Sequence, residues 1–206
     1  MIFSLYKTWI SVLLYKTKPS EIAKNTGLGR GLKHLATAAV IIGFLNGILQ
    51  YLLLSEKQEI AIAQTFGIID IAKATILAPV AYVIEALLFG AVLWALAKIL
   101  GGKGGYGNYV GTLSFIDAAL VGTVFAPLAV LYILGVLAGA GKMVMALTWI
   151  FSFIVLINFA FLHVKATQAV HRISMFRAVV VIIVSLIVTF AILFIRGMLM
   201  ALLDTT

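Results

Sequence analysis

Thr75–Ala97 reads TILAPVAYVIEALLFGAVLWALA, and the Gly-rich segment Leu100–Tyr109, LGGKGGYGNY, follows it. A helix rising 1.5 Å per residue needs about 20 mostly apolar residues to cross about 30 Å of hydrocarbon. This stretch meets that requirement while carrying a single charged side chain, Glu85. The whole chain has the same character. Of its 206 residues 64% are hydrophobic and only 11% charged, with a mean hydropathy of +1.19. Soluble domains average roughly 45–50% apolar and about 25% charged. So few charges cannot clothe a soluble core, which sets soluble enzymes aside.

Working outward from Thr75–Ala97, four further stretches meet the length requirement: Leu35–Leu54, Tyr109–Leu134, Met143–His163 and Ala178–Ile195. The expected fold is therefore all-α, a polytopic helical bundle with five transmembrane helices. Residues 1–34 form an N-terminal segment, 35–197 the membrane domain and 198–206 a short external tail. The last span, AVVVIIVSLIVTFAILFI, has almost no polar surface and is expected to face lipid. Ile60–Lys73 is apolar but short, and reads as an interfacial or re-entrant helix leading into the second span.

Charge fixes the expected orientation. Lys7, Lys16, Lys18, Lys24, Arg30, Lys33, Lys98, Lys103, Lys165, Arg172 and Arg177 fall on one side, eleven of fifteen basic residues. Lys57, Lys73, Lys142 and Arg196 fall on the other. The positive-inside rule then puts the N-terminus in the cytoplasm and the C-terminus outside. The net charge of +8 does not point to nucleic acid, because the basic residues never form a run of five or six. Ile2, Phe3, Leu5, Tyr6, Trp9, Ile10, Leu13 and Leu14 share one broad helical face. They suggest an amphipathic helix in the membrane interface or packed under the bundle. Pro19 suits the first turn of a second short helix. Gly27, Gly29 and Gly31 read as a flexible joint before the first span.

Chemistry is sparse. The chain has no cysteine, and its histidines lack zinc-helix spacing, so neither a metal nor a cofactor is expected. The Gly-rich segment is not a phosphate loop, because Lys103 is followed by Gly104 rather than Ser or Thr. It reads as a tight cytoplasmic turn. Gly101, Gly102, Lys103 and Gly104, with Lys165, Arg172 and Arg177 of the fourth connection, are the candidate contacts for a protein partner or anionic headgroups. Gly43 with Gly47, Ala118 with Gly122 and Ala126, and Gly135 with Gly139 repeat small residues at four-residue spacing, a pattern that lets helices approach closely.

The sharpest features are two acids inside spans, Glu85 and Asp117. An ionised residue near the bilayer centre costs at least about 2.5 kcal/mol, so both should face the bundle interior or water. Counted from Ala97 and Tyr109 they lie roughly 18 and 12 Å deep, close enough on antiparallel helices to share a water or a proton. Asn46, Tyr82, Ser114 and Asn158 are the candidate supporting partners. No Lys or Arg lies inside a span to neutralise the acids. Pro79 and Pro127 should kink the second and third spans.

With the segment LGGKG between the second and third spans, then Tyr106, Leu113 and Ala126-Pro127, the chain resembles the Yip family, the Ypt/Rab-interacting membrane proteins. The resemblance covers roughly Lys18 to Ile195. It implies five spans, a cytoplasmic N-terminus and a non-enzymatic role in organising membrane proteins or lipids. The basic N-terminal segment, with Glu21 as its one acid, is similar to compact prokaryotic members, which implies a prokaryotic plasma membrane. Two other readings stand beside it. One is a proton- or cation-linked transporter or channel using Glu85 and Asp117. The other is an accessory subunit of a larger complex, in which an exposed apolar span packs on a partner or a second copy.

Overall fold

The computed structural model describes residues 2–14, 16–56 and 68–203, and among these it is helical nearly throughout. In chain order the elements are α1 (Ile2–Leu13), α2 (Pro19–Asn25), α3 (Leu28–Glu56), α4 (Ile68–Ile99) and α5 (Tyr106–Leu120). A π-helical turn (Val121–Phe125), α6 (Ala126–Leu137), α7 (Gly141–His171) and α8 (Met175–Leu203) complete the described chain. Four helical stretches are long and apolar enough to cross a membrane: Leu28–Leu53, Ile69–Ile99, Tyr106–Leu137 and Gly141–His171.

Several expected boundaries move. The first span begins at Leu28, so Gly29 and Gly31 are helical instead of forming a joint. Gly31 sits directly against the Gly111 backbone of α5, where a side chain would collide. Ile68–Lys73 forms the first turns of α4 rather than a separate helix, while residues 60–67 lie outside the described residues. The fourth span runs on past His163 to His171, which shrinks the fourth connection to Arg172–Ser174.

Lipid tails are as apolar as leucine, so membrane helices gain little from burying apolar faces against each other. Close packing through small residues decides their arrangement. Gly43 of α3 faces Ala78 and the Ala74 carbonyl of α4, where an added Cβ would lie 2.6 and 2.8 Å away. With Gly31 on the other side, α3 is gripped by α4 and α5 at backbone distance. Leu35, Ala38, Ala39 and Ile42 form the buried stripe that results, at the i, i+3, i+4, i+7 spacing of one helix face.

The column at the centre is α5. Every residue from Tyr109 to Leu120 is buried except Asp117. It is surrounded by α1, α2, α3, α4 and α7. α1 packs Trp9 and Val12 onto this column, with the Trp9 ring lying on Gly122 in the π-helical turn. Pro127 explains that turn. Proline has no N–H and its ring collides with the carbonyl four residues back, here Thr123, so a regular α-turn cannot pass through it. The wider turn relieves the clash, and the Ala126 N–H bonds to the Val121 carbonyl five residues back.

α7 and α8 are less enclosed. α8 buries Ala178, Val181, Ile182 and Ser185 while Phe176, Ile183, Leu186 and Ile187 point outward. α8 therefore presents one packed face and one outward face over its described side chains, rather than facing outward over most of its circumference. On α7, Trp149, Ile150, Phe153, Ile154 and Ile157 are likewise exposed.

Candidate functional site

Asp117 is the one position between Tyr109 and Leu120 of α5 that is not buried, and it points to α7. Its Oδ1 lies 2.9 Å from Nε2 of His163, a hydrogen bond between the third and fourth spans. The histidine side chain is 11% exposed and the aspartate 29%. Phe159, one turn earlier on α7, packs on the imidazole with ring centroids 4.2 Å apart and fixes its orientation. The Asp117 carboxylate is thus paired, but with histidine rather than with the Tyr82, Ser114, Asn46 or Asn158 side chains expected from the sequence.

Asp117 and His163 form one wall of a cavity of about 300 Å³. Glu85 and Tyr82 of α4 and Leu35 of α3 line the same space. Leu120, Val121 and Phe125 contribute the side next to the π-helical turn, while Phe89, Leu156 and Phe159 complete the apolar lining. α4 and α7 barely touch each other, because α5 stands between them, and this separation leaves the space. Glu85 is exposed, at the rim. It interacts electrostatically with Tyr82, one turn away. Measured along their helices from the Gly-rich end, Glu85, Asp117 and His163 lie about 21, 17 and 12 Å in.

The other expected members of the intramembrane set separate. Asn46 lines an adjoining cavity that shares Tyr82 and Phe125 with the first. Ser114 is fully buried in α5, away from the cavity, and its Oγ has no hydrogen-bond partner among the described residues. Asn158 lies on the exposed face of α7. Among the described residues, no group of three or more His, Asp or Glu side chains is placed to hold a metal ion.

The Gly-rich segment is a second built feature. The Lys103 N–H donates to the His171 carbonyl at 3.0 Å, and Arg177 donates through a guanidinium nitrogen to the Leu100 carbonyl at 3.1 Å. Trp94 Nε1 donates to the Gly104 carbonyl at 3.1 Å. A Cβ on Gly102 would sit 2.6 Å from His171 Nδ1 and 2.7 Å from the Ala97 carbonyl. On Gly104 it would sit 2.6 Å from Val170. Glycine is therefore required for contact here, and at Gly101 also for conformation, since its φ of 86° is left-handed. The segment is a tight turn, as expected, and it is bolted to the α7–α8 turn. Lys98, Lys103, Arg172 and Arg177 stand exposed around this junction, while Lys165 is half-buried with its ammonium 5.2 Å from the Phe161 ring.

Sequence reading missed His163 as a site residue. From the sequence it stands at the end of the fourth span, beside the basic fourth connection and eight positions before His171, with no acid nearby along the chain. Its acid lies 46 positions back and becomes a neighbour only when α5 and α7 pack. The available signal was depth, since α7 extended by two turns would have placed His163 within about one turn of Asp117.

No family model, curated protein or solved structure matches the chain. What stands without comparison is a protein helical nearly throughout its described residues, with four helices long and apolar enough to span a membrane and a largely apolar cavity that holds Glu85, Asp117 and His163.

Proposed function

We propose that the protein is a non-enzymatic integral membrane protein of the Yip type, which organises membrane lipids and proteins through its basic end. On this reading α8 is the fifth crossing, α1 an amphipathic N-terminal helix, and the basic end lies in the cytoplasm of a prokaryotic cell. The observation that carries it is the junction of the Gly-rich turn with the α7–α8 turn. Backbone and guanidinium hydrogen bonds hold that surface in one shape, with Lys98, Lys103, Arg172 and Arg177 projecting from it. Fixed cations near a bilayer surface attract anionic headgroups by about 1 kcal/mol each. The test is mass spectrometry of the protein extracted with its surrounding lipid. Near-stoichiometric anionic lipid or a recurrent protein partner is expected, reduced in the triple variant K103Q/R172Q/R177Q. Recovery of bulk lipid alone, unchanged in that variant, defeats the reading. An accessory role in a larger complex predicts the same copurification, with the partner lost when the exposed apolar residues of α7 or α8 are replaced.

A second reading is favoured by a separate observation, the cavity that gathers Glu85, Tyr82, Asp117 and His163 at mid-depth. Ionisable groups at that depth are costly and mark ion or proton paths. On this reading the protein moves protons or cations, and flux in liposomes falls in E85Q and D117N proteins. Equal flux in wild type and both variants rejects it.

A further inference from the structure

The cavity's lining is specific about what it could hold. Among the described residues its walls carry two carboxylates, Glu85 and Asp117, and no Lys or Arg. His163 offers at most one positive charge, and it is already engaged with Asp117 at 2.9 Å. The chemistry therefore calls for a cation. A bare metal ion is poorly served, because among the described residues no three ligating side chains converge. The remaining lining is apolar and aromatic, with Phe89, Phe125 and Phe159 facing the same space. Aromatic faces attract cations through their quadrupoles, most strongly where water is excluded, and they also bury apolar bodies. A volume of about 300 Å³ is at the small end of ligand sites.

We propose that this cavity binds a small amphipathic organic monocation, an ammonium head between Glu85 and the Asp117–His163 pair with an apolar body against the phenylalanines. This rests on the second reading of the function and names the substrate class of that same site. The ligand's positive charge meets the Glu85 carboxylate at the rim, and the aromatic wall selects an apolar substituent over a hydrated inorganic ion.

The test uses the full chain in nanodiscs of zwitterionic lipid, so that headgroup charge adds nothing, titrated calorimetrically with benzyltrimethylammonium. Its competitor is neopentylbenzene, which has the same shape with carbon in place of the charged nitrogen. Saturable binding is expected, undisturbed by an equal concentration of the neutral compound. Loss of a charge-assisted contact should weaken it about ten- to a hundredfold in E85Q and in D117N. It should be largely retained in D117E and unchanged in K142Q at the far end of the bundle. E85Q changes an exposed rim residue and leaves the Asp117–His163 bond intact, so it remains informative if D117N fails to fold. Equal binding by all variants, or displacement by neopentylbenzene, overturns recognition of charge. If folded wild-type protein binds no benzyltrimethylammonium while Glu85-dependent proton or sodium flux persists, the substrate class is wrong and the transport reading survives. If wild-type flux is absent as well, both fall.

Discussion

Breaking the Asp117–His163 bond should reveal how much one polar contact contributes to this bundle. A hydrogen bond to a charged group in a soluble protein is worth about 1.5–3 kcal/mol. Inside membranes, measured interhelical hydrogen bonds average only about 0.6 kcal/mol and reach about 1.7, because the separated helices also find polar partners. The geometry here, 2.9 Å with the imidazole held by Phe159, places this pair toward the upper end. Partial exposure of the aspartate, at 29%, argues against going beyond it. His163→Phe keeps a ring against Phe159 while removing the donor, and Asp117→Ala removes the acceptor. Each single variant should lose about 1–2 kcal/mol, and the double variant less than their sum by about 1–1.7 kcal/mol. Reversible unfolding in bicelles, followed by circular dichroism, supplies the four free energies. Additivity within about 0.3 kcal/mol would mean that the two residues do not act as a pair and that the cavity wall described here is wrong.

Other expectations follow from the packing. Gly122→Val drives a branched side chain into the Trp9 ring, and should cost about 1–3 kcal/mol while shifting tryptophan emission as α1 lifts from the column. Gly102→Ala should raise amide exchange across the Gly-rich turn, since its Cβ would displace His171 or the Ala97 carbonyl; unchanged protection would contradict the docked turn. Gly101→Ala forces an L-residue into φ 86° and should cost about 1 kcal/mol in unfolding experiments. Because the chain has no native cysteine, K103C and K142C can be labelled singly in intact cells. An impermeant maleimide should modify Cys at 142 and spare it at 103, and the reverse pattern would invert the proposed orientation.

Length and apolarity carry most of the fold, and they are linear properties of the chain. That is why the four long helices were visible in the sequence. Their ends were harder to read, because polar and charged residues such as Lys165 and Gln168 look like a connection until Thr167 and His171 are seen buried against other helices. A hydrogen bond from Tyr109 to Thr167, 2.7 Å long, keeps that last stretch of α7 inside the bundle. Gly31 misled for the opposite reason, since glycine marks both a loose joint and a tight helix contact, and only its partner Gly111 distinguishes them; Gly29 is helical with open space beside it. Glu85 and Asp117 were legible as a site because intramembrane acids are expensive wherever they occur. Their actual company was not. Rotation about a uniformly apolar helix axis leaves little trace in periodicity, and rotation decides that Asp117 meets His163 while Ser114 and Asn158 turn elsewhere.

The π-helical turn carries one residue more than an α-helical path would need, and one residue is worth about 100° of rotation. The third span is therefore two columns out of phase rather than one. A stripe extrapolated from Asp117 through Pro127 names the wrong side for every residue of α6. The same offset lets one crossing serve two masters, with α5 turned toward the polar cavity and α6 turned to lock against α7 through Gly135 and Val144. Excising a single residue between 121 and 125 would force a choice between them, swinging one column by about a quarter-turn while leaving composition, length and hydropathy nearly untouched.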